Sequence, residues 1–210
     1  MYVPTPYREG RRDVLLAAIA ARAFGTLVTA GAGGIRVTHL PFAVTGPAGE
    51  EVLIAHLARA NPQWRDLAAG ADALASFLIE DGYISPGWYP SKAETGRVVP
   101  TWNYIAVEAR GTVELVEDKA GLRAMVDLLT DSHERGRAAP WSTADAPPDY
   151  TAALLGGIVG LRLHIHNLIG AWKLDQKKRA DDRAGAAAGL AAHPRTHALA
   201  AAMRTSTPAG

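Results

Sequence analysis

Three short apolar stretches follow one another between residues 24 and 57, and turn-forming segments rich in glycine separate them. The stretches at 24–30, 35–44 and 52–57 have the length of strands, and connections this short join antiparallel neighbours. Pro41 lies within the second stretch and lacks a backbone N–H, so we expect that strand at a sheet edge or bulge. The pattern predicts an antiparallel sheet, and the lack of regular βαβ alternation argues against a Rossmann fold.

The rest of the chain adds further strands and a set of helices. Residues 12–23 carry apolar side chains at the spacing of one helix face, and Asp118 can cap a second helix with an apolar stripe. Strands are predicted at 73–79, 101–116, 158–165 and 170–174, an irregular loop at 82–99, and a helix from 176 to about 193. We expect a mainly β fold of the α+β class, with an antiparallel barrel and peripheral helices in residues 1–174, a C-terminal helical segment at 175–204 and a disordered tail at 205–210.

Charge and cysteine content limit the possible partners and compartment. Among the 210 residues, 22 Lys and Arg balance 21 Asp and Glu, for a formal net charge of +1. Such a chain has no overall field that would hold nucleic acid, so a DNA contact would need a local patch. The chain has no cysteine, which excludes disulfides and thiolate chemistry. It shows neither a signal segment nor an apolar run of about 18 residues, so we expect a cytoplasmic protein without membrane contact.

The segment from His56 to Trp64 is the strongest candidate for binding an anion. A strand ends there and delivers Arg59 just before a helix that Asn61 can cap, with Pro62 at its first position. Free N–H groups at a helix start, together with a guanidinium, suit a phosphate monoester. The alternative is an ordinary strand–helix junction with a solvated Arg59.

Aromatic side chains are concentrated in the next candidate segment. Tyr83, Trp88, Tyr89 and Trp102, followed by Asn103, lie within about two dozen residues of a Pro-rich stretch. A planar heterocycle binds against aromatic or apolar faces with a few amides at its edge, so the segment predicts a cleft for such a ligand. The alternative is that the rings fill the core of a small barrel.

Lys173, at the end of the last predicted strand, could reach a phosphate or the electron-rich edge of a redox cofactor. His164 and His166 share a strand face, but no third ligand is near in sequence, so we expect no metal site. Dinucleotide, Walker and nucleophile-elbow motifs are absent from the sequence, and no catalytic residue is assigned.

These segments together resemble the PaiB family of FMN-binding negative transcriptional regulators. The landmarks run in family order: MYVP at 1–4, HLPF at 39–42, HLARANPQW at 56–64, YISP at 83–86 with Trp88 and Tyr89, VPTWNY at 99–104, and KL at 173–174 with Gln176. The resemblance implies an FMN-binding split barrel related to the pyridoxamine-oxidase-like flavoproteins, and a homodimer with FMN at the subunit interface. It also implies a negative regulator of sporulation and degradative-enzyme genes, with DNA or another regulator as a partner.

The resemblance also implies site residues. Arg59 and Asn61 would hold the FMN phosphate region, with His56 and Gln63 from the same junction among the contacts, and Thr38 and His39 would face the isoalloxazine. The remaining expected contacts, from either subunit, are Trp102, Asn103, Lys173 and Gln176. Two positions depart from the family pattern: Asp175 stands where Ser is usual and Lys177 where Asn is usual. A carboxylate that faces an anionic cofactor would weaken its binding.

Three hypotheses for the function remain open at this point. The first is a flavin-binding regulator, and the second is an enzyme, either a flavin-dependent oxidoreductase or a relative of the haem-degrading split-barrel proteins. The third is an FMN carrier without activity. The sequence shows no helix-turn-helix pair and no evident general acid or base, so it does not choose among them.

Overall fold

Eight strands form one sheet in the computed structural model, which describes residues 1–206. The strands are β1 (Arg8–Glu9), β2 (Phe24–Gly31), β3 (Gly34–Pro41), β4 (Ala43–Thr45), β5 (Val52–Ala58), β6 (Ala73–Ile84), β7 (Thr101–Val116) and β8 (Ile158–Lys173). The helices are α1 (Arg12–Arg22), α2 (Gln63–Ala68), α3 (Ser91–Thr95), α4 (Lys119–Glu134), α5 (Pro148–Gly156), α6 (Ala180–Ala191) and α7 (His197–Thr205). The strand order is β3-β2-β6-β7-β8-β5-β4, and β1 pairs with β8.

The first hairpin confirms the antiparallel prediction. Strands β2 and β3 pair in antiparallel register, with Val28 opposite Val37, and Gly34 at their turn has a φ of +94° that favours glycine. Strand β4 pairs antiparallel with β5 in the same way. Pro41 is the last residue of β3, which lies at the sheet edge, where a missing N–H costs no ladder bond.

Three strand predictions differ from the structure. The stretch predicted as one strand at 35–44 forms two strands, β3 and β4, with Phe42 between them. Strand β6 continues to Ile84, and the two strands predicted at 158–165 and 170–174 are one, β8. Gly82 does not form a turn: a Cβ there would lie 2.9 Å from side-chain carbons of Leu190 and Leu199, so the glycine permits close packing inside a strand. The segment at 101–116 forms one continuous strand, β7, with the predicted bounds.

The chain divides into two compact units, each of which is described by itself. The terminal unit contains Met1–Leu15, Leu78–Val107 and the chain from Ile169 onward. Its core contains Ile84 and Tyr89 together with Leu174, Leu190 and Leu199. The helix predicted from 176 to about 193 is α6, and a further helix, α7, follows it after a short turn at Pro194.

The predicted division into residues 1–174 and 175–204 stays a prediction, and α6 and α7 lie in the terminal unit. Of the predicted tail, Thr205 ends α7, while residues 207–210 lie outside the described residues.

The hairpin unit contains Leu16–Phe77 and Glu108–Leu168. The predicted apolar stripe of α4 is buried in its core, where Leu122, Met125 and Leu129 pack with Ile54. The predicted cap is present as well, because the Asp118 carboxylate accepts a hydrogen bond from the Gly121 N–H at 2.8 Å. Along residues 1–206, no helix combines the length and the apolar character that crossing a membrane requires.

Candidate functional site

The junction between β5 and α2 is organised around Gln63, whose side chain is fully buried in the hairpin unit. Its amide oxygen accepts from the Thr38 hydroxyl at 2.5 Å. Its amide nitrogen lies within hydrogen-bond distance of the Leu27 and Arg36 carbonyl oxygens, at 3.3 and 3.2 Å, and of the Thr29 hydroxyl. One side chain therefore connects the start of α2 to both strands of the first hairpin.

Asn61 and Thr38 form a hydrogen-bonded pair beside Gln63. The Asn61 amide donates to the Thr38 hydroxyl at 2.9 Å, and the Asn61 carbonyl oxygen accepts from the backbone N–H of Gln63 at 3.0 Å. Asn61 thus makes the capping contact expected from the sequence, although α2 itself begins at Gln63. Because that N–H is already satisfied, the helix start does not offer it to an anion.

Arg59 has protein partners on two of its nitrogens. Nη1 donates to the Glu117 carboxylate at 2.8 Å and Nη2 donates to the Ile158 carbonyl oxygen at 3.1 Å. The guanidinium keeps 38% of its side-chain exposure, and a guanidinium carries five N–H donors. Donors therefore remain for an incoming anion, but Glu117 competes for them. The sequence carried no signal for this pair, because its members lie 58 positions apart.

His39 lies on the exposed face of the first hairpin. Its Nδ1 lies 2.9 Å from the Thr26 hydroxyl, and its ring stacks against Phe24 with the ring centres 6.4 Å apart. Thr38, the preceding residue in the strand, points to the opposite face, where its hydroxyl donates a hydrogen bond to Gln63. The two residues expected to face an isoalloxazine therefore present themselves to different sides of the sheet.

His56 faces away from this polar group. It lines an apolar cavity together with α4, α5 and the segment between them. Its Nδ1 is buried without a hydrogen-bond partner among the described residues, and burial lowers the pKa of the imidazole below its ordinary value.

The remaining predicted contacts lie in the terminal unit. Lys173 donates to the Thr101 hydroxyl at 2.5 Å and to the Trp102 carbonyl oxygen. Burial lowers the pKa of Lys173, and the charge of Asp175 opposes that effect. The Trp102 ring is half exposed and meets Tyr83 edge to face, with the ring centres 6.2 Å apart. Of the four predicted aromatics, Tyr83 and Trp102 are thus exposed, whereas Tyr89 is buried in the core and Trp88 packs against it.

Asn103 is fully buried in the same unit. Its amide nitrogen lies 3.6 Å from the Met203 sulfur, and its carbonyl oxygen has no hydrogen-bond partner within residues 1–206. A buried amide oxygen without a donor is unusual, because its desolvation is not compensated.

Gln176 and Asp175 are both buried, and both are satisfied by their own unit. The Gln176 amide accepts from the Leu174 N–H at 2.8 Å and donates to the Trp172 carbonyl oxygen. Asp175 has a φ of 59° and accepts from the Tyr89 hydroxyl at 2.9 Å. Burial, followed by the Asp175 charge, raises the pKa of Tyr89 well above its ordinary value. The carboxylate of Asp175, the residue that departs from the family pattern, is therefore hydrogen-bonded to Tyr89 within the protein.

The comparisons with known proteins agree with this architecture. The family described as "Putative FMN-binding domain" matches residues 1–167. The chain belongs to this family. It is 30% identical over 182 residues to the protein named Protease synthase and sporulation protein PAI 2 of Bacillus subtilis (strain 168), which covers 87% of this chain and 85% of that protein. The PaiB resemblance is thereby confirmed.

Other relatives extend the similarity. The chain is 28% identical over 226 residues to an uncharacterized protein of Emericella nidulans, with 90% of each covered. Among solved structures, it is similar to the FAD and haem binding protein of Mycobacterium smegmatis, with a TM-score of 0.60, 21% identity and coverage of 84% of this chain and 78% of that chain. It is also similar to the flavocytochrome Anf3 of Azotobacter vinelandii, with a TM-score of 0.54 and 15% identity. That match covers 79% of this chain and 69% of the other. These likenesses confirm the split-barrel fold with peripheral helices.

Proposed function

We propose that this protein binds FMN as a homodimer. The observation that carries the proposal is membership of the FMN-binding domain family over residues 1–167. The FAD and haem binding protein of Mycobacterium smegmatis, which is similar in fold, supports a flavin as the ligand.

The hairpin unit offers groups that fit a phosphate and a polar ring edge. Arg59 is charged, part-exposed and keeps free donors, as a phosphate monoester requires. The half-buried Asn61 uses one amide hydrogen on Thr38, and its second hydrogen makes no hydrogen bond within residues 1–206. We propose Arg59 and Asn61 as the phosphate contacts, with Thr38 and His39 as neighbouring contacts on the hairpin. Gln63 would act by positioning Thr38 and Asn61, since its own amide is engaged within the protein.

The terminal unit, taken by itself, offers groups that fit a flavin ring. Trp102 presents an exposed aromatic surface, Lys173 a partly buried ammonium and Asn103 an unsatisfied amide oxygen. A bound flavin supplies a planar redox-active ring with N–H and carbonyl groups at its edge. We keep Trp102, Asn103, Lys173 and Gln176 as proposed contacts, with Gln176 holding the turn that follows Lys173.

The exposed face of the first hairpin supports the homodimer. Phe24, Ile35 and Val37 are 52%, 75% and 56% exposed, and the strand register places them on one face. Ile35 and Val37 are adjacent on that face and Phe24 lies towards its other end, and large apolar side chains at this exposure are typical of an interface between protein chains.

Flavin titration tests the proposal directly. Protein that has been stripped of any bound ligand is mixed with FMN, desalted and examined for flavin absorbance and for quenched flavin fluorescence. We expect retained FMN with weaker retention of riboflavin, which lacks the phosphate. A preparation that stays colourless after desalting would sink the flavin proposal.

The regulatory role is the finer part of the proposal, supported by the Bacillus relative, which is named a protease synthase and sporulation protein. A gel-shift experiment with fragments of the source genome at physiological salt tests DNA binding, because purely electrostatic complexes weaken steeply there. NADH and NADPH oxidation with added FMN tests the oxidoreductase alternative. Loss of every shifted band at that salt would leave direct DNA binding without support. The cytoplasmic location stays a prediction.

A further inference from the structure

The apolar cavity beside His56 lies in the hairpin unit, apart from the polar group around Gln63. It has a volume of about 320 Å³ and is bounded by β5, β8, α4, α5 and the segment that joins the two helices. Its lining is mostly apolar and includes the buried Leu155 and the partly buried Val126 and Ile158. Trp141 and Tyr150, both about half exposed, lie at its edge.

The lining of this cavity carries no formally charged side chain in the described part of the chain. A phosphate or a carboxylate would lose its hydration there without a cation in return, which makes the cavity unsuitable for FMN. Volumes of roughly 300–1,000 Å³ are typical of ligand pockets, so this one suits a molecule with a single ring.

His56 is the polar feature of the cavity that lacks a local partner. The two threonines of the lining are satisfied, because Thr143 donates to Asp127 and Thr151 donates to the Pro147 carbonyl oxygen at 3.2 Å. His56 Nδ1, by contrast, is covered by protein and unpartnered. The side chain as a whole remains part-exposed and lines the cavity, so Nε2 is the ring nitrogen left for a ligand to reach.

The state of the imidazole decides which ligand group matches it. Burial lowers the pKa of the imidazole from its ordinary value, which favours the neutral ring. A neutral imidazole either donates or accepts at Nε2, depending on its tautomer. A hydroxyl group satisfies both cases, because it is a donor and an acceptor.

We propose that this cavity binds a small, uncharged aromatic molecule that bears one hydroxyl group, with its ring against Leu155 and Ile158 and its hydroxyl hydrogen-bonded to His56. This site is independent of the proposed flavin function, and it needs no change in the Arg59–Asn61 group.

Two fluorinated probes of nearly equal size test the proposal. The affinities of 4-fluorophenol and fluorobenzene are measured by ¹⁹F NMR on the full chain. We expect 4-fluorophenol to bind about fivefold more tightly, the effect of one net hydrogen bond. His56→Phe, which keeps a ring of similar size, should abolish this preference, while the matched variant His193→Phe, at an exposed position, should keep it.

A second measurement on the unmodified protein does not depend on the folding of a variant. Nuclear Overhauser effects from the phenol ring to the methyl groups of Leu155 and Ile158 are expected, and they should persist when FMN is added to saturation. Their absence, an equal affinity for both probes, or displacement of the phenol by FMN would each overturn the proposal.

Discussion

Two groups compete for the guanidinium of Arg59: the Glu117 carboxylate and the proposed phosphate. Arg59 is paired with Glu117 in the protein alone, yet it is the cation that the proposed phosphate would need. We expect Arg59→Ala to weaken FMN binding by roughly 1.5–3 kcal/mol, the value of a hydrogen bond to a charged group. Fluorescence titration measures the loss, and riboflavin serves as the control, because its affinity should hardly change. Equal losses for FMN and riboflavin would place the phosphate elsewhere.

Glu117 should limit the affinity that Arg59 provides. Removing its charge with Glu117→Gln frees the guanidinium from a half-exposed ion pair, which is worth about 0.2–1 kcal/mol. We therefore expect FMN to bind up to about fivefold more tightly, with little change in stability. Glu114→Gln, which removes another exposed carboxylate from an ion pair with Arg162, is the matched control and should leave the affinity unchanged. Weaker FMN binding by the Glu117 variant would contradict the competition.

His56 should make the folded protein sensitive to mild acid. Its pKa is lowered below 6.5 in the folded state by burial. As the pH falls, His56 is therefore protonated more readily in the unfolded chain than in the folded protein. The free energy of unfolding is then highest above pH 6.5, the ordinary pKa of histidine, and decreases as the pH falls below it. Urea unfolding at pH 7.5 and 5.5 should show a smaller loss for His56→Phe than for the wild type. His193→Phe should lose as much as the wild type, and identical losses in all three proteins would rule His56 out as the cause.

At the scale of elements, Gln63 joins α2 to β2 and β3. Its buried amide lies within hydrogen-bond distance of the hydroxyls of Thr38 and Thr29 and of two backbone carbonyl oxygens. An apolar replacement would therefore leave several buried groups unsatisfied. We expect Gln63→Leu to lower the free energy of unfolding by roughly 2–4 kcal/mol, measured in urea. Arg65→Ala, on the exposed side of the same helix, should change it by less than about 0.5 kcal/mol. A loss in Gln63→Leu no greater than in this control would show that the network contributes little.

Local signals predicted the elements whose cause is local. The glycine-rich turn between β2 and β3 and the Asp118 cap of α4 follow from turn and capping chemistry within a few residues. Gly82 behaved differently, because the reason for glycine there is contact with Leu190 and Leu199, more than a hundred positions later. A glycine needed for packing and a glycine needed for a turn look the same in one sequence, so the end of β6 was missed.

The candidate site shows the same limit. Asn61 could be recognised because its capping contact is two residues away. The partners of Arg59, Asp175 and His56 could not, because Glu117, Tyr89 and the walls of the apolar cavity come from distant segments. The sequence could therefore name residues with suitable chemistry, but not which of them the fold already occupies.

At the scale of the whole molecule, the near-neutral net charge and the exposed hairpin face favour self-association over a general attraction to nucleic acid. A formal charge of +1 gives little repulsion between copies of the chain. The hairpin face exposes Phe24, Ile35 and Val37 together, and covering them would remove apolar surface from water. An assembly held in this way should respond to a charge placed on that face.

Val37→Lys is the variant that tests the homodimer. Val37 lies on the exposed face of the edge strand β3, so lysine is tolerated by the fold but should repel a second copy across a two-fold interface. Size-exclusion chromatography with light scattering should show a dimer for the wild type and a monomer for the variant. Leu128→Lys, at an exposed apolar position on α4, should remain dimeric.

If FMN lies at the interface, FMN affinity should fall with the dimer, because each subunit alone offers only part of the contacts. A variant that stays dimeric would place the interface elsewhere, and a monomer with full FMN affinity would separate flavin binding from assembly.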